Sequence, residues 1–374
     1  SNICQGQCVT LECDPTPIFE TVDYALEEID YNPFPFIGAN EVTVNSDDAY
    51  SDPIDLPFEF CFYGGFYDQV VLGSNGLVSF DVAANAGGFN QWAINDPIPG
   101  NTDMLNAIAC PFHDINPASG GGFYSSVYGT APFRVVVFSF NNVNAFSCQT
   151  TSTQQVALYE STNIIETYIS NKTLCATWND GAAIHGIQNA LGNQATVVPG
   201  RNFPDQWTAS NDAWRFTPSG TQAIPFTVNW LDGEDNLIGT GATLPNVCPT
   251  ETEIYHAEVT YEDVNGVVCS NSILTIRDSA QVVVSTGNLV VVDVADDIII
   301  CSGESTPIGG VATPGVTYTW TPNDGSLDLS DPANPIASPA TTTTYSLEAS
   351  NGICLANETV TVTVVSDPTP TITG

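Results

Sequence analysis

Trp230 and Tyr255 stand 25 positions apart, and Trp320 and Tyr345 repeat that spacing. Each pair lies in a run of alternating polar and apolar residues rich in Thr, Val and Ile: FTVNW and TEIYHAEVTY for the first, VTYTW and TTYSLEAS for the second. Alternation with period two is the pattern of half-buried strands, and β-branched residues suit a pleated backbone. A tryptophan on one strand and a tyrosine on a later, facing strand fill the core of an immunoglobulin-like sandwich. Residues 222–287 and 288–366 therefore read as two copies of one β-module, and DPTPTITG at 367–374 as a linker towards a further one.

Residues 1–221 have another texture, holding most of the Phe and Gly. Short strands such as PFEFCFY (57–63), FRVVVFSF (133–140) and QQVALYE (154–160) alternate with Asn/Gly/Pro/Asp turns, and helical periodicity is hard to find. GSNG at 73–76 is a hairpin-type turn, where Asn75 and Gly76 take positive φ cheaply. The expected fold is all-β: a large sandwich or jelly-roll-like domain over 1–221, followed by the two tandem Ig-like modules.

The chain carries 42 acidic residues against 5 basic ones, a formal charge of −37, so nucleic acid and anionic membrane are repelled. No apolar run reaches the roughly 18 residues of a membrane-spanning helix, so no membrane insertion is expected. Eleven cysteines argue for an oxidising compartment. By their placement around the strands, Cys301 is expected to pair with Cys354, Cys248 with Cys269, and Cys148 with Cys175. That leaves Cys4, Cys8, Cys13, Cys61 and Cys110, an odd set, with Cys4, Cys8 and Cys13 the candidates for a free thiol or an intermolecular bridge.

LPFEFCFYGGFYDQVVLGSNGLVSF, IACPFHDINP (108–117), WNDGAAIHGIQNALG (178–192), PGRN (199–202) and DAWRFTPSG (212–220) together resemble the N-terminal β-domain of large secreted surface proteins of Bacteroidota, the gliding-motility-associated substrates of type IX secretion. A looser similarity connects the same stretch with nidogen-like extracellular domains. CSGES through TWTP and DPANPIASPATTTTYSLEASNGIC look like the Ig-like or PKD-like repeats of the same bacterial proteins. The resemblance implies an extracellular, cell-surface adhesin or adhesive filament whose partners are further copies or other filament subunits.

Candidate chemistry is sparse. His113 and Asp114 are adjacent and no nucleophile elbow accompanies them; His185 lies in an apolar run and reads as a hydrogen-bonded core residue. No enzyme and no required cofactor are expected. Asp47, Asp48, Asp52 and Asp55, and separately Asp324, Asp328 and Asp331, form oxygen-rich loops that offer hard ligands to a structural calcium ion, although solvated turn carboxylates account for the same residues. Arg201 and Arg215 sit beside Trp207 and Trp214 and suit an internal brace. Alternatively, Trp92, Trp178, Trp207 and Trp214 build a sugar-stacking platform, which would make the N-terminal domain a lectin-like module that binds polysaccharide or cell-surface glycans.

Overall fold

The structure, a computed structural model, describes residues 2–44, 46–262, 274–285, 294–352 and 354–365. The chain divides into two compact units, one of Thr16–Phe226 with Thr260–Thr275, the other of Ser1–Pro15, Thr227–Val259 and Ile276–Gly374. Both are built almost entirely from strands, and the expected all-β class, a large sandwich with two Ig-like modules, is the observed one.

In the larger unit, an eight-stranded sheet carries Tyr24–Glu28, Ala209–Pro218, Ile165–Lys172, Thr151–Tyr159, Val135–Ala145, Gly122–Tyr128 and Asn40–Val42 in spatial order, with Ile115–Asn116 beside Val135–Ala145. A six-stranded sheet carries Ala195–Val197, Ile184–Gln188, Ala107–Phe112, Leu77–Ser79, Gly65–Gly73 and Ile54–Phe62. The paired strands within both sheets are antiparallel. Between the sheets lies a Phe-rich core in which Phe60, Phe62, Phe138, Phe140 and Phe216 are wholly buried. The run Ile54–Phe62 shows why: Leu56, Phe58 and Phe60 fall on one face while Asp55, Pro57 and Glu59 face solvent. A second apolar cluster packs Val71, Leu77, Ala107 and Ala109 with Ile94, Ile98 and Met104 of the 81–106 connection. Strand Ala107–Phe112 is consequently buried on both faces, which explains its unbroken apolar sequence.

The second module is contiguous. Ile298–Cys301, Leu355–Val365, Thr343–Ser350 and Thr317–Thr321 form one sheet, and Thr306–Pro307, Ile336–Ala337 and Leu327–Asp328 the other. Trp320 and Tyr345 are buried at its centre; the indole Nε1 donates to Pro332 O at 2.9 Å and the Tyr345 hydroxyl bonds Ser326 Oγ at 2.6 Å. Trp230 and Tyr255 occupy the same places in the first module, with Trp230 Nε1 donating to Gly241 O at 2.8 Å and the Tyr255 hydroxyl to Glu253 Oε2 at 2.7 Å.

The first module is completed by the start of the chain. Asn2–Cys4 runs parallel to Leu274–Ser285, as Ile298–Cys301 runs parallel to Leu355–Val365, and Val9–Glu12 pairs antiparallel with Thr243–Val247. The local chemistry repeats in detail. Gln7 Oε1 accepts from Cys4 N at 3.0 Å, Glu304 Oε2 from Cys301 N at 3.1 Å, and Gly6 and Gly303 share φ values of +87° and +88°. The expected 1–221 domain is corrected accordingly: residues 1–15 belong with the module strands, and the large domain is inserted in the first module between its opening strands and Phe226–Leu231.

Disulfides follow this arrangement. Cys148 is joined to Cys175, Cys8 to Cys248, and Cys4 to Cys354. The expected Cys248–Cys269 and Cys301–Cys354 bridges are therefore wrong, because Cys8 and Cys4, brought in by the opening strands, take those partners; Cys269 itself lies outside the described residues. Cys4 and Cys8 are likewise not intermolecular thiols. Cys13 keeps a free thiol, and burial, then the charges of Asp278 and Asp14, raise its pKa and make it a poor nucleophile. The segment 367–374, read as a linker, also lies outside the described residues.

Candidate functional site

One group of polar residues of the large domain meets where the loop 46–50, the turn 73–76 and the end of strand Ala107–Phe112 come together. Asn75, wholly buried in that turn, organises them: its Nδ2 donates to Asp48 Oδ1 at 3.0 Å and to Gln91 O at 3.2 Å, and its Oδ1 accepts from Ile115 N at 3.1 Å. Gly76 follows with φ +87°, and a Cβ there would stand 2.0 Å from Pro111 O, so the close approach of turn and strand requires glycine.

One oxygen each from Asp47, Asp48 and Asp114 lies within 4.8 Å of the others. Asp47 Oδ2 accepts from Asn116 Nδ2 at 2.7 Å and Asp114 Oδ2 from Trp178 Nε1 at 2.6 Å. The Oδ1 atoms of Asp47 and Asp114 are buried without a hydrogen-bond partner among the described residues. Burial pushes the Asp114 carboxyl up to about 7; the Trp178 hydrogen bond opposes the shift, and the charges of Asp48 and Asp47 add to it. Asp47 is raised too, by burial and then by Asp48.

Beside the acids stands an aromatic group. Trp178 packs against Trp92 at 5.4 Å and Phe146 at 4.8 Å between ring centroids, all three half-buried. Asn179 Nδ2 donates to Trp92 O at 3.0 Å, and Trp178 N to Cys175 O at 3.1 Å, so the Cys148–Cys175 bridge helps fix this corner.

The neighbouring titratable groups are structural. His113 Nε2 bonds Gln154 Oε1 at 3.3 Å, and His185 Nε2 bonds Thr167 Oγ1 at 2.9 Å. Burial, and then the positive charge of Lys172 or Arg201 respectively, lowers both imidazoles to about 3. Neither is a base poised near neutrality. Lys172, buried to 2% exposure, donates to Trp207 O at 2.7 Å, and burial brings it down to about 8. His113, Asp114, Lys172 and Trp178 line a cavity of about 20 Å³, room for one water and not for a substrate. The Cys110 thiol is pushed up to about 12 by burial, so it supplies no thiolate at neutral pH.

Of the four tryptophans offered as a sugar platform, Trp207 is withdrawn, and Trp214 is half-buried against the core. Trp207 is buried, with Lys172 at 4.6 Å and Arg201 at 4.7 Å from its ring, and Arg201 also lies 5.8 Å from the Trp214 ring. Arg201 holds Asp212 through two hydrogen bonds of 2.5 and 2.8 Å, which makes this group the internal brace. The acid-rich loops also separate. Asp52 and Asp55 are exposed and outside the cluster, while Asp324, Asp328 and Asp331 are exposed and bind the backbone N–H groups of Ser326, Ser330 and Ala333 as local turn caps. Asp114 and Asn75 were not read from sequence as partners of Asp47 and Asp48; HisAsp and GSNG were visible motifs, but only the sheet brings them together.

Disulfide-locked sandwiches define a protein of the extracellular or secreted type. The chain belongs to the NIDO-related family, whose profile matches residues 23–228, nearly all of the inserted domain. Among curated proteins none matches it. Solved structures similar to parts of the chain include a three-Ig variant of a titin fragment, 15% identical over 39% of this chain and 57% of that one with a TM-score of 0.20. Extracellular domains 3–5 of Drosophila OTK are 12% identical over 38% of this chain and 54% of that chain, TM-score 0.17. Immunoglobulin domains 1–4 of Sidekick-1 are 12% identical over 41% and 42%, TM-score 0.17.

Proposed function

We propose that the chain is a non-catalytic segment of a bacterial cell-surface adhesin or adhesive filament, in which the Ig-like modules bear load and the NIDO-related domain makes the attachment. The observation that supports this most directly is covalent: the opening strands of the first module are bridged by Cys8–Cys248 within it and by Cys4–Cys354 to the second, so tension along the modules falls on disulfides as well as on strand pairs. The sequence resemblance to gliding-associated surface proteins supplies the export route, type IX secretion, and makes other filament subunits the partners. Immunogold labelling of producing cells with an antibody to residues 16–220 tests it. Label along fibres or at their tips is expected; diffuse label in the medium would contradict it.

A second reading keeps one favouring observation. Trp92 and Trp178 form a half-exposed aromatic pair beside carboxylates and amides, the composition of a glycan contact. Saturable quenching of tryptophan fluorescence by a polysaccharide, lost in Trp92→Ala, would support the lectin-like role, and an unaltered spectrum across a glycan panel would end it.

A further inference from the structure

We propose that Asp47, Asp48 and Asp114 form a binding site for one calcium-sized divalent cation. The three carboxylates come from two segments far apart in sequence, yet present oxygens within 4.8 Å of one another. Calcium takes oxygen ligands at about 2.3–2.6 Å, so its opposite ligands stand about 5 Å apart, a span this group accommodates; magnesium, at about 2.0–2.1 Å, draws its ligands closer.

Crowding of acids alone means little in a chain of charge −37, and a second observation separates this cluster from the rest. Asp114 is only 9% exposed, and its Oδ1, like that of Asp47, is buried without a partner among the described residues. An acceptor left unsatisfied in a protein interior is costly, more so when charged. The other oxygen of each carboxylate is committed, to Trp178 Nε1 and to Asn116 Nδ2. Among the described residues no Lys or Arg pairs with them: Arg134, Arg201, Arg215 and Arg277 pair with other carboxylates, and Lys172 donates to Trp207 O. Asn75 donates to Asp48, so the three acids are held by neutral amide and indole donors, none of which brings a compensating charge.

A bound cation would join the loop 46–50 to the end of strand Ala107–Phe112 and, through Trp178, would set the aromatic corner. The inference is independent of whether that corner binds glycan or protein. It differs from the sequence expectation in its ligands, with Asp114 in place of Asp52 and Asp55.

Trp178 supplies the readout. Terbium, a calcium mimic with all-oxygen preference, is sensitised by a neighbouring indole, so titrating Tb³⁺ into the full chain while exciting tryptophan should give saturable luminescence that Ca²⁺ competes away. The Asp47→Asn, Asp114→Asn double variant should weaken Tb³⁺ binding at least about tenfold, since it removes two of the three charges, and Asp324→Asn, Asp328→Asn should leave it unchanged. Luminescence that Ca²⁺ does not displace, or that survives the double variant, overturns the proposal. Should the double variant fail to fold, anomalous density from terbium-soaked wild-type crystals decides: a peak between the three carboxylates supports the site, and its absence refutes it.

Discussion

The two Ig-like modules bury the same Trp and Tyr at their centres and begin with the same strand, turn and side-chain cap, yet the second is one stretch of chain and the first is two. In the first, 213 residues stand between Glu12 and Phe226, and the NIDO-related domain fills that gap. The difference teaches that a sandwich tolerates a whole domain in place of one loop when its ends are held. Loop-closure cost grows only logarithmically with length, and the Cys8–Cys248 bridge fixes the returning strands.

Removing residues 1–12 breaks the comparison most severely. Hydrogen exchange should show protection lost across Phe226–Leu231 and Glu253–Tyr261 and kept across Thr343–Ser350; loss in all three would mean the modules do not differ in this way. Next, Trp230→Ala and Trp320→Ala should each cost about 3–5 kcal/mol in their own module, measured by chemical denaturation, because each empties an equivalent site. Cys8→Ser with Cys248→Ser should cost the first module about 2–4 kcal/mol and leave the second unaffected.

Near neutrality the smallest effect is that of pH, and it belongs to the NIDO-related domain. His113 and His185 are held neutral in the fold, with pKa lowered from 6.5 to about 3, so the unfolded chain binds more protons within that window. Their contribution to stability is full above pH 6.5 and falls as pH drops towards 3. Asp114, raised to about 7, acts in the opposite sense and blunts the loss. Thermal unfolding followed from pH 7 to 4 should show the decline, and His185→Gln should make it shallower.

Much of this was legible in the sequence and some was not, for identifiable reasons. Period-two alternation with Trp and Tyr at fixed spacing exposes the modules because burial on one strand face is a local property. Ile3-Cys4-Gln5-Gly6 and Ile300-Cys301-Ser302-Gly303 are also alike, a signal that the opening strand belongs to a module, but a short strand far from its partners looks like part of the domain that follows it. Cysteine connectivity depends on that placement, so pairing by proximity joined Cys248 and Cys354 to the wrong partners. Asp114 was read beside His113 as a pair in sequence, whereas its true neighbours lie across the sheet.

The most direct test of the discontinuous module is a disulfide map. Proteolysis of the non-reduced chain with mass spectrometry should recover peptides linked through Cys8–Cys248 and Cys4–Cys354. Recovery of Cys248–Cys269 and Cys301–Cys354 instead would place the opening segment outside the modules and contradict the account.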